Sequence, residues 1–313
     1  MLRKRLAVAV ERRLRERAGQ AGEDLHLFLV RFLGERLLYR LSRSGHAQSF
    51  VLKRAVLPGA WSNYTRRTGG DLELLGGGPP DVVRMERVFR EIAGVAAPED
   101  GVDFDPESVH AEPADSHSGT ESLRVAVTGA LDTSHSGIQL HVRFGDVVTP
   151  AAQETTLPTL LELLPAPKVL VCPRETVVAE KFQSVMEVGP TGDLLPDLLD
   201  LHLLAMGFAF DGELLGRAIR ATFSRRFTPL PSTMPFALTE AFAAHPANAL
   251  AWKALAADVH RETGRPGIQQ GLSDVTRDLY AFLSPPAEAL LREQTFAMVW
   301  PPGGPWHPPG AER

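Results

Sequence analysis

The sequence predicts an α+β first half followed by an all-helical second half, with the boundary near residue 160. Three observations predict it. Short apolar runs with a period of two cluster before Pro150, at 122–131 and 137–144 above all. After Pro150 the pattern becomes helical, with candidate helices from 174 onward. The 313 residues are 44% hydrophobic and 23% charged, enough to build a core in one large or two moderate domains. The expected division is residues 1–160 and 161–313.

Element by element, residues 3–18 read as an amphipathic helix. A second spans 24–42, where Asp24 can cap and Leu25, Phe28, Leu29, Phe32, Leu33, Leu37 and Leu38 recur on one face. Ser49–Lys53 reads as a short strand. Ala55–Ser62 reads as a helix kinked or broken by Pro58. Leu72–Leu75 is a second strand, and Asp81–Ala93 a helix with Val82, Met85, Val88, Phe89 and Ile92 inward. Residues 94–120 look polar and broken, with a short strand at Val102–Phe104. Strands at Ser122–Leu131 and Gly137–Phe144 are expected to pair through the connection 132–136. Helices are then expected at 174–188, 194–207, 211–226, 234–244, 247–261, 271–283 and 286–294, before an irregular Pro- and Gly-rich tail from Pro301.

Charge and cysteine content narrow the function classes. The net charge is −5, so a nucleic-acid partner requires a local basic patch. Residues 1–18 carry Arg3, Lys4, Arg5, Arg12, Arg13, Arg15 and Arg17 against Glu11 and Glu16, and this reads first as a solvated helix face. Cys172 is the single cysteine, so no internal disulfide forms, and a reducing cytoplasm is the expected setting. No signal-peptide pattern follows the basic start, and no apolar run reaches the roughly 18 residues that a membrane span needs. Gly76-Gly77-Gly78 is not followed by the Gly-Lys-Ser/Thr of a P-loop. No Gly-x-Ser-x-Gly elbow supports a serine hydrolase.

The most informative motif is Asp71-Leu72-Glu73, set between Gly69-Gly70 and Gly76-Gly77-Gly78. On an extended strand, residues i and i+2 share a face, so the two carboxylates point the same way. Like charges so close repel unless a cation joins them, and a divalent metal bound to phosphate supplies one. Taken alone the pair is also compatible with a solvated turn.

Several stretches extend this signal: Arg36-Leu37-Leu38-Tyr39-Arg40-Leu41-Ser42, Phe50-Val51-Leu52-Lys53, Asp71 through Gly76, Phe144-Gly145-Asp146-Val147-Val148, and Glu175 through Phe182. Asp197-Leu198-Leu199-Asp200-Leu201, Thr222-Phe223-Ser224-Arg225-Arg226 and Trp300 through Trp306 follow in order. In these the chain resembles the AbiEii/AbiGii toxin family, nucleotidyltransferases of type IV toxin–antitoxin pairs. The resemblance implies a minimal nucleotidyltransferase fold, with a small mixed sheet carrying an acidic metal site and a helical half beyond it. It implies nucleotidyl transfer from an NTP with Mg²⁺, the tRNA 3′ end as an acceptor in some members, and a winged-helix antitoxin as partner.

Carried over residue by residue, Asp71 and Glu73 match the acidic pair and become the magnesium ligands. Lys181 matches a helix lysine that offsets phosphate charge. Asp197, 16 residues later, matches a catalytic carboxylate, either a base toward the attacking hydroxyl or an orienter of Lys181. Asp200, one turn on, reads as structural, a partner for a basic side chain. Lys53 and Arg54 stand where the family has a lysine before paired glycines, so both are nucleotide-binding candidates with Lys181. Arg54 either grips phosphate or blocks the pocket. His141 falls where a third strand carboxylate is expected, and a histidine suits magnesium poorly. Asp146 either substitutes for it or ends the strand. Pro196 fits the first turn of a helix. The alternative to an active transferase is a catalytically weakened relative that acts by binding antitoxin, nucleotide or RNA.

Overall fold

The computed structural model describes residues 2–53, 71–114, 121–187, 194–263 and 270–311. Arg54 and the helix expected at 55–62 lie outside them. The chain forms two compact units, one of residues 1–146 and 152–172, the other of 147–151 and 173–313. The fold is mixed α and β, with a mixed sheet in the first unit and helices dominating the second.

In the first unit, helices α1 (Leu2–Ala21), α2 (Leu25–Arg43) and α3 (Val82–Ala93) share one core with the apolar faces of the strands. Asp24 and Asp81 cap α2 and α3 by accepting from the Leu27 and Arg84 amides. On α1, Arg12 and Arg15 pair with Glu16 and Glu11 at 3.8 and 3.0 Å while largely exposed, the solvated face expected. The strands are β1 (Phe50–Leu52), β2 (Leu72–Gly76), β3 (Val102–Ala114), β4 (Ser122–Leu131), β5 (Ser134–Phe144), β6 (Gln153–Thr156) and β7 (Lys168–Val171). Their order is β3-β4-β5-β2-β1-β7-β6. β2 runs parallel to β5 and antiparallel to β1, and β1 runs parallel to β7.

Three expectations need correction here. Residues 102–114 form one 13-residue strand, not a broken polar stretch. Pro106, Pro113 and the exposed charges hide it, but all are tolerated because β3 is an edge strand with a register shift between Asp105 and His110. The β4–β5 connection is shorter than expected, since Leu131 pairs with Ser134 and Asp132 takes φ 50° in the turn. Strands β6 and β7 follow Pro150, where the sequence suggested helices. β7 is held on both sides, and β6 is an exposed edge with no apolar periodicity to reveal it.

In the second unit, α4 (Arg174–Glu187), α5 (Leu195–Gly207), α6 (Gly212–Arg225), α7 (Glu240–Ala243), α8 (Pro246–Thr263) and α9 (Leu272–Leu291) follow, with a two-residue pair β8 (Phe210–Asp211) and β9 (Val299–Trp300). The helix expected at 234–244 is instead a 3₁₀ turn at Phe236–Leu238 followed by α7. The two helices expected at 271–283 and 286–294 are one, running through Pro285 and Pro286. A proline removes the N–H that bonds the carbonyl four residues back. For Pro286 that carbonyl is Phe282 O, and Trp306 Nε1 donates to it at 3.0 Å. The tail thus supplies the donor that the helix lost at Pro286. Trp300 Nε1 likewise donates to Ala205 O at 2.8 Å, and Phe282 packs against both tryptophan rings. The tail is irregular, as expected, but anchored.

Candidate active site

The candidate residues fall in both units, and each group is built from its own elements. In the first unit, Leu72 and Leu74 of β2 are buried in the core, so period two turns Asp71 and Glu73 to the other face. In the parallel register Glu73 lies opposite His141 of β5. His141 Nε2 is 3.6 Å from Asp71 Oδ2, and Arg143 Nε is 3.2 Å from Glu73 Oε1. The acidic side chains of Asp71, just before β2, and Glu73 on it are therefore matched by imidazole and guanidinium side chains on β5, a favourable cross-strand arrangement. Arg124 of β4 pairs in register with His141 and extends the row. Burial pushes the Asp71 carboxyl above its usual range, opposed by His141 and more weakly by Arg124. An anion destabilised in this way gains from the arrival of a cation.

Lys53 follows β1, and its amide donates to Glu73 O at 2.9 Å. Its ammonium meets Asp146 Oδ2 at 2.7 Å, with both side chains 2% exposed. Gly145, at φ 83°, turns the chain after β5 and so allows Asp146 to face back. Asp146, for which the sequence left two readings open, is the buried partner of Lys53.

In the second unit, Lys181 of α4 is buried, not a solvated helix lysine. Its Nζ lies 2.8 Å from Asp197 Oδ1 and 2.7 Å from Asp200 Oδ2. Asp197 and Asp200 share a face of α5 at i,i+3, and Pro196 fits the first turn of that helix. Asp197 also sits in the first turn, where the helix dipole favours a carboxylate. Ser184, one turn after Lys181, donates to Asp197 Oδ2 at 2.9 Å. The opposite face of α4 is braced by α6. Arg226 donates to Gln183 Oε1 at 2.8 Å, and Gln183 Nε2 donates to Thr228 Oγ1 at 2.8 Å and Glu187 Oε2 at 2.9 Å.

Sequence reasoning missed Arg143 and Ser184, whereas Asp200, read as structural and a partner for a basic side chain, is the partner of Lys181. Arg143 was legible as the i+2 neighbour of His141, and Ser184 as the i+3 neighbour of Lys181. Among the described residues, no cluster of three or more His, Cys, Asp or Glu side chains could hold a metal by protein ligands alone. Two carboxylates still match magnesium, which takes one or two of them and completes its shell with phosphate and water oxygens. No described helix is long and apolar enough to cross a membrane.

A sequence-family model described as nucleotidyl transferase AbiEii toxin, Type IV TA system, matches residues 36–274. No curated protein matches the chain. Two solved structures from Helicobacter pylori resemble it at 12% identity. One, of a candidate nucleotidyltransferase, has a TM-score of 0.40 and covers 86% of this chain and 98% of its own. The other, of JHP933, has a TM-score of 0.36 and covers 88% and 97% respectively.

Proposed function

Because this chain belongs to the AbiEii nucleotidyl transferase toxin family of type IV toxin–antitoxin systems, we propose that it transfers a nucleotidyl group from an NTP to a hydroxyl at the tRNA 3′ end. Membership implies a nucleotide substrate and an antitoxin partner, for which a winged-helix protein is the proposal. The observation that carries the reading is the pair Asp71 and Glu73, two oxygen donors at the start of β2 that share one side, with Asp71 partly desolvated.

These two carboxylates would hold Mg²⁺. When bound, the ion draws charge from the triphosphate and lowers the pKa of the attacking hydroxyl. Lys181 acts as a point cation toward phosphate, held by Asp197 and Asp200. Asp197, with Ser184 on its second oxygen, orients Lys181. Lys53 is the proposed nucleotide-binding residue of the first unit, with its ammonium aimed by Asp146. Arg54, in the sequence beside it, is proposed for the same role.

Incubation with labelled NTPs, total tRNA and Mg²⁺ tests the reading. Wild-type protein is expected to label tRNA. Asp71→Ala is expected to reduce labelling by about 10²–10³-fold, the range for removing one electrostatic stabiliser of a transition state. Equal labelling by wild type and variant sinks it.

A specific observation favours the second reading, a binding protein with weakened catalysis. Arg143 already engages Glu73, and His141 stands beside Asp71 where the family has a carboxylate. Both compete for oxygens that a metal needs. We expect His141→Asp to change labelling by less than about tenfold, or 1.4 kcal/mol. A larger gain, measured under the same conditions, transfers support to the weakened reading.

A further inference from the structure

A second feature of the helical unit lies apart from Lys181 and its carboxylates. Helix α6 exposes Glu213, Arg217, Arg220 and Ser224 along one face at i, i+4, i+7 and i+11. From residue 214 to residue 239 there are four arginines and no acidic residue, in a chain whose net charge is −5. Glu213, at the start of the face, pairs with Arg217 at 2.8 Å, and both side chains are about half exposed. Arg217 and Arg220 border a recess of about 200 Å³, floored by Gly212, Gly216, Pro286 and Leu290.

The other end of α6 is unusual. Thr228 N–H bonds Phe223 O at 2.9 Å, and Phe227 N–H bonds Ser224 O at 3.3 Å. This is a Schellman ending, and Phe227 occupies the position that needs left-handed backbone and normally takes glycine. Phe227 has φ 52°. A bulky side chain is strained there. Its ring is also 90% exposed, so no burial offsets the strain. Folding stability alone therefore does not account for phenylalanine at this position.

An exposed ring just past the end of a helix that exposes Arg217 and Arg220 suits single-stranded nucleic acid, because bases stack on aromatic faces while guanidinium groups track phosphates. We propose that Phe227, Arg220 and Arg217 form a docking platform for single-stranded RNA, with a base on the ring and phosphates along the helix. The platform deepens the proposed function, since it would bind the acceptor, and it is separable from the chemistry.

The test is anisotropy of a fluorescein-labelled, single-stranded 12-nucleotide RNA with the full chain and with Phe227→Gly, Phe227→Trp and Arg220→Ala. Phe227→Gly is expected to bind about tenfold more weakly. Its melting temperature should be unchanged or raised, because glycine relieves the backbone strain. Phe227→Trp should keep wild-type affinity. Arg220→Ala should lower the slope of log K against log salt by about 0.7, the loss of one phosphate contact. Binding by Phe227→Gly within twofold of wild type overturns the platform, as does no RNA binding by wild type. So does a requirement for Phe227 only in binding a protein partner. Asp71→Ala separates the two ideas, as it should keep RNA affinity while losing transfer. RNA binding through Phe227 without transfer by wild type refutes the transferase reading alone. Transfer with RNA affinity indifferent to Phe227 refutes the platform alone.

Discussion

Replacing Lys181 with methionine is expected to reduce nucleotidyl transfer by about 10²–10³-fold and to cost the fold about 3 kcal/mol. The two effects share one cause. Lys181 is 5% exposed, and its ammonium lies between Asp197 and Asp200. Methionine keeps the length and the apolar stem but removes the charge. Two carboxylates on one face of α5 then repel each other in a partly desolvated site. Transfer assays at saturating NTP measure the first effect, and urea midpoints measure the second. The Asp197→Asn, Lys181→Met double variant should recover part of the stability and none of the activity. Transfer within about threefold of wild type would remove Lys181 from the reaction and leave it a structural cation. Stability within 1 kcal/mol would show that water or other cations satisfy the carboxylates.

The second large effect is expected in the first unit. Arg40 of α2 donates to Asp100 Oδ2 at 2.8 Å and Oδ1 at 3.2 Å, and to the carbonyls of Val102 at 2.8 Å and Arg36 at 3.1 Å. The side chains of Arg40 and Asp100 are 2% and 0% exposed. Arg40→Met should destabilise this unit by about 3–5 kcal/mol, since it leaves Asp100 charged and buried. The double variant Arg40→Met, Asp100→Asn should be more stable than the single one, because the orphaned charge is gone. Urea unfolding followed by far-UV circular dichroism decides it, and a loss below 1 kcal/mol for Arg40→Met would refute the assignment. The same stretch holds Glu35 and Arg36, fully buried and paired at 2.6 Å, with Glu35 accepting from the Leu160 amide and Arg36 donating to Pro165 O. Arg36 and Arg40, which helped to mark the resemblance at 36–42, are thus buried anchors for chain 129 and 60 residues away.

Much of this was legible in the sequence for local reasons. β4 and β5 show period two, and α2 shows its apolar face and its Asp24 cap. Asp71-Leu72-Glu73 carries its own geometry, because alternation on any strand puts both carboxylates on one face. The failures also have local causes. In β3, Pro106 and Pro113 signal a break, and only pairing with β4 makes an edge strand of it. In α9, Pro285 and Pro286 signal an end, yet the helix continues, with Trp306 donating to the carbonyl that Pro286 leaves open.

Sequence alone determined the mixed first half, the helical second half, the family and the direction in which Asp71 and Glu73 point. The periodicities are encoded within a few residues of chain, and the family in the order and spacing of motifs along most of it. Tertiary structure decided the company those residues keep. The parallel β2–β5 register sets His141 and Arg143 against the acidic pair, Asp146 meets Lys53 across 93 residues, and Asp200 joins Asp197 on Lys181. Such pairings arise when distant segments pack side by side, and a charge on one segment carries no local record of the partner that will neutralise it.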